Sequence, residues 1–210
     1  KAAERAKGIK VDVLAALDDL RPAGAGDDKV EVDPHVWLDP TLLKAIVAEI
    51  AGALSTADPA NRATYEANAG AYSRELDELD AAFTAGLATC DRRVIVTAHS
   101  AFGYLAARYN LTEDAIAGLE PESEPSPQRL ADLAAKVRAD GTTTIFYETL
   151  VSPKVAESLA REAGVKTATV EAVDPKSQDF SAAVNAVKAA SPDLVFYGGY
   201  YAEAGRLRKQ

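Results

Sequence analysis

The chain has 210 residues, of which 48% are hydrophobic and 26% charged, a composition ordinary for a globular protein with one large core or two small lobes. Its formal net charge is -9, and the acidic residues are spread along the chain, which disfavours nucleic acid and anionic membrane surfaces as partners. Cys90 is the only cysteine, which excludes an intrachain disulfide and a cysteine-based zinc knuckle. A cation is the easier ligand for such a chain.

The beginning of the chain, KAAERAKG, is polar, and no apolar run approaches the roughly 18 residues of a membrane span. We therefore expect no membrane span, and we expect this sequence to be a fragment that lacks a signal sequence and an N-terminal segment. The apolar spacing predicts a helix over residues 1–20. A Pro/Gly/Asp loop over residues 21–29 and a short strand, KVEV, follow it.

Two helices come next, and each is opened by an Asp-Pro pair that supplies a capping carboxylate and a first-turn proline. The first begins at Asp39-Pro40 and is expected to stop near Ser55. The second is expected to run unbroken from about Pro59 to Gly86, because its apolar residues recur every three or four positions. About 30 residues give a rod of roughly 45 Å, a length suited to a spine that braces two lobes.

After residue 93 the pattern changes to short β-rich runs that alternate with capped helices. Such repetition predicts an α/β fold, with a Rossmann-like parallel sheet and ligands beyond the carboxyl ends of its strands. We expect a remnant of an N-terminal lobe over 1–58, a long linking helix over 59–89 and a C-terminal α/β lobe over 90–210. The runs expected to be strands are VIVTA, AIAGL, TTIFYE, KTATVEAV and DLVFYGG.

Four side chains at the ends of these elements could carry chemistry. His35 lies in the turn DPHVWLDP, His99 follows the strand VIVTA, Glu148 ends TTIFYE and Asp174 follows TATVEAV. Imidazole nitrogens and carboxylate oxygens suit divalent ions such as zinc and manganese. The spacing alone leaves simpler interpretations open, because a loop histidine is usually a surface residue and a carboxylate after a strand is often a helix cap.

Several longer segments of the chain match one protein family. The segments are DPHVWLDP, VTAHSAFGYLAARYNL, GLEPESEPSPQRLADL and IFYETLVSPKVAESLAREAGVKT, which leads to VDP. Over about residues 1–175 the chain resembles the cluster A-I family of periplasmic metal-binding proteins, which serve zinc and manganese ABC transporters.

The resemblance implies that His35, His99 and Asp174 bind the metal, with Glu148 hydrogen-bonded to a ligand side chain. It also implies a non-enzymatic protein of the periplasm or cell surface, whose partners are a divalent metal ion and the membrane permease of an ABC transporter. Zinc is favoured over manganese as the ion, because position 99 carries a softer nitrogen ligand. Trp37 is expected to pack in the core or against its loop.

The chain departs from the family pattern at both ends. The family's first histidine ligand would precede Lys1, so the site is expected to be incomplete. The tail over 178–210 resembles branched-chain amino-acid-binding proteins, which suggests a chimera joined near 175–179; the alternative is a family member that has diverged.

Three other functions remain open on the sequence. A metal-dependent hydrolase is one, because two histidines, one carboxylate and a water describe many catalytic zinc sites. No H-E-x-x-H motif supports it. An amino-acid-binding protein and a fragment without a working metal site are the other two.

Overall fold

The computed structural model of the chain describes residues 8–18, 20–22, 32–120, 125–147, 153–167, 181, 184–185 and 188. It divides into two compact units, each described here by itself. The first unit comprises Lys1–Arg93 and Ala101–Glu113, and the second comprises Val94–Ser100 and Asp114–Gln210. The division of the chain into 1–58, 59–89 and 90–210 stays a prediction.

The N-terminal helix expected over residues 1–20 is wrong for the described part of that segment. Residues 8–18 form bends and a turn. The amide of Leu14 donates to the Asp12 carboxylate at 3.1 Å, and the amide of Leu17 donates to the Leu14 carbonyl at 3.1 Å. A short side chain that bonds to a nearby amide competes with helical hydrogen bonding, which explains the turn.

Helices follow both Asp-Pro pairs of the first unit, as predicted, but only Asp39 makes a capping bond, and Asp58 makes none. A 3-10 turn, Val36–Leu38, leads to α1, Pro40–Ala57, and a second 3-10 turn, Pro59–Asn61, leads to α2, Arg62–Leu87. Asp39 caps α1, because its carboxylate accepts the Thr41 amide at 2.8 Å. The 26 residues of α2 form one helix of about 39 Å, as the persistent apolar spacing predicts.

α1 is a helix long and apolar enough to cross a membrane by length and composition, with a mean hydropathy of 1.2. This finding departs from the expectation that no apolar run approaches the length of a membrane span. The helix nevertheless carries Lys44 and Glu49, and Lys44 forms an ion pair with Asp77 of α2. Helices of globular cores pass the same test, so this property alone does not indicate a span.

The first unit has two apolar clusters. One is centred on Leu17, Val36, Ile46 and Tyr104, and it joins the turn before α1 to a short helix α3, Gly103–Arg108. The other contains Leu87, Leu105 and Tyr109, with Phe83 and the half-buried Cys90 packed against it. The segment that follows His99 in sequence therefore packs in the core of the first unit. Tyr104 belongs to the first of these clusters, and Phe102 packs against the second.

The second unit carries the parallel sheet that the alternating pattern predicts. The strands are β1, Val94–Thr97; β2, Thr112–Ala115; β3, Thr144–Phe146; and β4, Lys166–Thr167, in the order β2-β1-β3-β4. The first two residues of β2 are assigned to the first unit, and the rest of the sheet belongs to the second. β1 pairs in parallel with β3, and β3 in parallel with β4. The α/β fold is confirmed. The prediction of a strand over AIAGL is wrong, because β2 ends at Ala115 and the chain bends from Ile116 onward.

In the second unit, one helix begins at a capping serine and another ends at a glycine. Ser126 caps α4, Pro127–Ala139, and Gly164, with φ of 75°, ends α5, Lys154–Ala163. A left-handed residue at this position is strained for any side chain with a Cβ, which explains the glycine. The two helices and the sheet enclose one apolar core that includes Val96, Leu133, Ala134, Val137, Ile145, Ala156 and Leu159.

The predicted tail lies largely outside the described residues. Among the described residues of the tail, Ser181, Val184, Asn185 and Lys188 are helical. The expected strand DLVFYGG, and the part of KTATVEAV beyond Thr167, lie outside the described residues, so the added tail strand stays a prediction.

Candidate metal centre

His35 is fixed by the turn that its own motif encodes. In DPHVWLDP the residue precedes the 3-10 turn Val36–Leu38, and Val36 is buried at 2% exposure in the core of the first unit. The Asp33 carboxylate accepts the His35 amide at 2.9 Å, a local bond typical of an aspartate that starts a turn. The histidine is therefore anchored on both sides, by a polar bond before it and an apolar contact after it.

The same carboxylate of Asp33 also holds the imidazole ring. Its Oδ1 lies 2.7 Å from Nδ1 of His35, and the two side chains are 7% and 13% exposed. A carboxylate oxygen can only accept, so Nδ1 carries the hydrogen and Nε2 is the ring nitrogen able to bind a metal. Metal-bound histidines usually donate their second ring N–H in this way, which raises their basicity and fixes their orientation.

Asp33 is a residue of the candidate site that the sequence analysis did not identify. The sequence does carry a signal for it: in D-P-H, a carboxylate stands two positions before the candidate ligand His35. A turn over Pro34 brings such a carboxylate within reach of both the amide and the ring of the histidine. The donor chemistry at His35 thus fits a divalent ion such as zinc.

A buried tyrosine supports the backbone of Asp33. The Tyr104 hydroxyl donates to the Asp33 carbonyl at 3.0 Å and accepts the Arg21 amide at 2.9 Å. The Asp33 amide in turn donates to the Arg21 carbonyl at 3.0 Å, beside a bridge between Pro22 and Val32. Burial raises the pKa of the Tyr104 hydroxyl above its ordinary value, which keeps the hydroxyl a donor.

Trp37 lies beside His35 but outside the core. The two ring centroids are 5.4 Å apart with planes inclined by 60°, an edge-to-face contact. The indole is 52% exposed, so the expectation that Trp37 packs in the core is wrong. Its contact with His35 agrees with the other expectation, that it packs against its own loop. The motif buries Val36 toward the core and leaves its neighbour in solvent.

His99 lies in the second unit, two residues past the end of β1, as predicted. It is half-buried, and the Thr97 hydroxyl donates to its carbonyl at 3.0 Å. The loop runs beside residues 116–118. Three backbone hydrogen bonds of 2.9–3.0 Å join the two segments. The amides of Ile116 and Ala117 donate to the carbonyls of Thr97 and Ala98, and the Ser100 amide donates to the Gly118 carbonyl.

The full predicted ligand set is not assembled by the described structure. His35 and His99 belong to different units, and Glu148 and Asp174 lie outside the described residues. Within the described residues no group of three or more His, Cys, Asp or Glu side chains could hold a metal ion. The assignment of His35, His99 and Asp174 as ligands therefore stays a prediction, to which the structure adds Asp33.

A family model described as "ZnuA: Zinc-uptake complex component A periplasmic" matches residues 1–186 of this chain. The match continues past the junction near 175–179 that the tail suggested, so it gives the chimera no support. Residues 187–210, which include DLVFYGG, lie outside this match, so the choice between a chimera and a diverged family member stays open for them.

Named relatives and solved structures agree with this match. The zinc-binding lipoprotein AdcA of Streptococcus pneumoniae is 40% identical over 71% of this chain and 30% of its own length. The high-affinity zinc uptake system protein ZnuA of Bacillus subtilis is 38% identical over 70% of this chain and 47% of its own. A Zn(II)-bound mutant variant of AdcAII from Streptococcus pneumoniae has a TM-score of 0.67 and 34% identity, and covers 82% of this chain and 66% of that one.

The chain spans about a third to a half of the length of these two curated relatives. The family match covers most of its residues, and the motifs DPHVWLDP and VTAHS lie inside it. The chain belongs to the family of periplasmic zinc-uptake complex components A.

Proposed function

We propose that this chain is part of an extracytoplasmic solute-binding protein that captures a divalent transition metal, zinc in preference to manganese, for an ABC uptake transporter. The observation that carries the proposal is the Asp33–His35 pair, a buried carboxylate 2.7 Å from the ring nitrogen of a candidate ligand. Family membership supports it, and so do the names of the relatives, which are called zinc-binding and zinc uptake proteins.

The proposed ligands are His35 through Nε2, His99 and Asp174. Two neutral imidazoles and one carboxylate suit zinc, which prefers four ligands in a tetrahedral arrangement. The fourth position is filled by water or by a residue from the part of the full-length protein that lies outside this chain. Glu148 is proposed to hydrogen-bond to a ligand, the same role that Asp33 has beside His35.

Zinc is favoured because nitrogen donors suit it better than they suit manganese, which prefers oxygen ligands. The net charge of -9 also favours a cationic cargo. The partner that receives the ion is the membrane permease of the transporter. The proposed location is the periplasm or the cell surface, in keeping with the word periplasmic in the family description and lipoprotein in the name of one relative.

Calorimetry with zinc tests the proposal on the wild-type chain and on His35→Ala, His99→Ala and Asp174→Asn. We expect each variant to bind zinc at least about tenfold more weakly, because each loses one ligand. Asp132→Asn, an exposed carboxylate on α4, is the matched control and should bind as the wild type does. Equal zinc affinity in the wild type and in all three ligand variants would refute the site.

Trp37 gives a second readout that needs no label. It is the sole tryptophan and its ring lies 5.4 Å from that of His35, so zinc bound to His35 should change its fluorescence. A zinc titration followed by this emission should give the calorimetric affinity. Turnover of ester or peptide substrates by the zinc-loaded chain would favour the hydrolase instead.

A further inference from the structure

We propose that Tyr104 is a positioning residue for metal binding: its hydroxyl fixes the backbone of Asp33, and Asp33 in turn fixes the ring of His35. The inference rests on the proposed function of His35 as a ligand. It adds a residue that would act on the ligand through Asp33. Tyr104 lies 71 positions from Asp33 in sequence, on the short helix α3.

The hydroxyl of Tyr104 is shared by two backbone segments. It accepts from the Arg21 amide and donates to the Asp33 carbonyl, and the Asp33 amide donates to the Arg21 carbonyl. These three bonds, of 2.9–3.0 Å, close a ring that ties residue 33 to residue 21. Without the hydroxyl, the buried Asp33 carbonyl and the partly buried Arg21 amide would each lose a partner.

The surroundings of this ring leave Asp33 little freedom. Tyr104 is 3% exposed and Asp33 is 5% exposed. The Arg21 guanidinium lies 5.9 Å from the centroid of the Tyr104 ring. The preceding Gly103 has no Cβ, and a Cβ there would lie 3.1 Å from Arg21 Nε and 3.3 Å from Asp33 Oδ2. The carboxylate is therefore confined by its neighbours as well as by its hydrogen bonds.

The geometry of the carboxylate agrees with this role. Its Oδ1 lies 2.7 Å from Nδ1 of His35 and accepts the hydrogen that this nitrogen carries. A fixed carboxylate selects one tautomer of the imidazole and one orientation of Nε2. Moving the backbone of Asp33 by a few tenths of an ångström would loosen both, because the Oδ1–Nδ1 distance is only 2.7 Å.

Tyr104→Phe is the direct test, since it removes the hydroxyl and keeps the ring. The control is Tyr109→Phe, which removes a hydroxyl from another buried tyrosine that bonds to Asp80 in the same unit. We expect Tyr104→Phe to weaken zinc binding by about 3- to 10-fold, less than the loss of a direct hydrogen-bond partner of a ligand. Tyr109→Phe should lower stability to a similar extent and leave zinc affinity unchanged.

The state of the His35 ring gives a readout that does not depend on zinc. In a His99→Ala background His35 is the only histidine, so the nitrogen-15 NMR signals of the ring are its own. We expect a single tautomer with hydrogen on Nδ1, and a mixture of tautomers after Tyr104→Phe but not after Tyr109→Phe. If the zinc proposal fails, this measurement still tests the positioning role.

Two results would overturn the inference. One is an unchanged zinc affinity and an unchanged tautomer in Tyr104→Phe. The other is an equal loss of affinity in both tyrosine variants, which would mean that Tyr104 acts through general stability alone.

Discussion

The segments that carry His35 and His99 place the same type of side chain by different physical means. Around His35 the bonds come from side chains: a carboxylate on the ring, and a tyrosine hydroxyl between two backbone segments. Around His99 they run mainly from backbone to backbone, because the loop leaves β1 beside residues 116–118. A histidine at a strand end inherits its position from the sheet, whereas a histidine in a turn is held by its own side-chain hydrogen bonds.

The cores of the two units also differ, in their apolar clusters and in their buried polar residues. Among its described residues, the second unit has one apolar cluster that joins a sheet to two helices, with Ile145 and Ala134 at 0% exposure. The described part of the first unit divides its apolar contacts between two smaller clusters and adds the buried carboxylates of Asp33 and Asp39. Mutations should therefore act through packing in the second unit and through hydrogen bonds in the first.

The largest effect is expected in the core of the second unit. Leu133 is 1% exposed on α4, and Leu133→Ala should lower the free energy of unfolding by about 2–5 kcal/mol, because it removes apolar contacts and leaves a cavity. Leu130→Ala, one turn earlier and only half-buried, is the control and should cost less. Urea unfolding followed by circular dichroism measures both. Equal losses would show that packing at Leu133 is not the main support of this unit.

A smaller effect is expected at the polar support of the first unit. Asp33→Ala should weaken zinc binding by about 10- to 100-fold, because the proposed ligand His35 loses the group that orients it. Asp58→Ala is the control: this carboxylate also accepts side-chain hydrogen bonds, from Asn61 and Tyr65, but lies in another turn. Calorimetry at neutral pH measures the affinity. A zinc affinity in Asp33→Ala that matches the control would contradict the role of the carboxylate.

Local capping rules predicted the elements that position the two histidines. Asp39 and Ser126 begin helices through bonds to amides two and three residues away, and Gly164 ends one in a left-handed conformation. Each of these interactions is set by residues close in sequence, which is why a single sequence reveals it. The alternation of strands and helices likewise identified the α/β class.

The failures have two physical causes. Residues 8–18 have a helical apolar spacing, but the Asp12 side chain takes the Leu14 amide and a turn wins over a helix. AIAGL was chosen as a strand for its apolar residues, although pairing with β1 selects the more polar TEDA. The Tyr104 contacts span 71 and 83 positions, and no spacing rule predicts which residues meet at such distances.

The smallest effect is expected at Asp80 on α2, where the side-chain bonds of the first unit are partly exposed. Arg108 donates to its two oxygens at 3.0 and 2.8 Å, and the Tyr109 hydroxyl donates at 3.0 Å. The hydrogen bond from Arg108 lowers the pKa of the Asp80 carboxyl, with a further contribution from Tyr109.

A carboxyl whose pKa is lowered in the folded state stabilises the fold at pH values above its pKa in the unfolded state, about 3.9. This contribution is lost as the pH falls through the pKa of the folded state. Asp80→Asn should therefore cost at most about 1 kcal/mol at neutral pH, because solvent screens a partly exposed pair, and the difference from the wild type should shrink below about pH 4. Asp77→Asn, whose carboxylate is more exposed, is the control. Urea unfolding at several pH values measures the difference in the free energy of unfolding. If the difference between wild type and Asp80→Asn stayed constant from neutral to acid pH, packing of the side chain, rather than its charge, would stabilise the contact between α2 and α3.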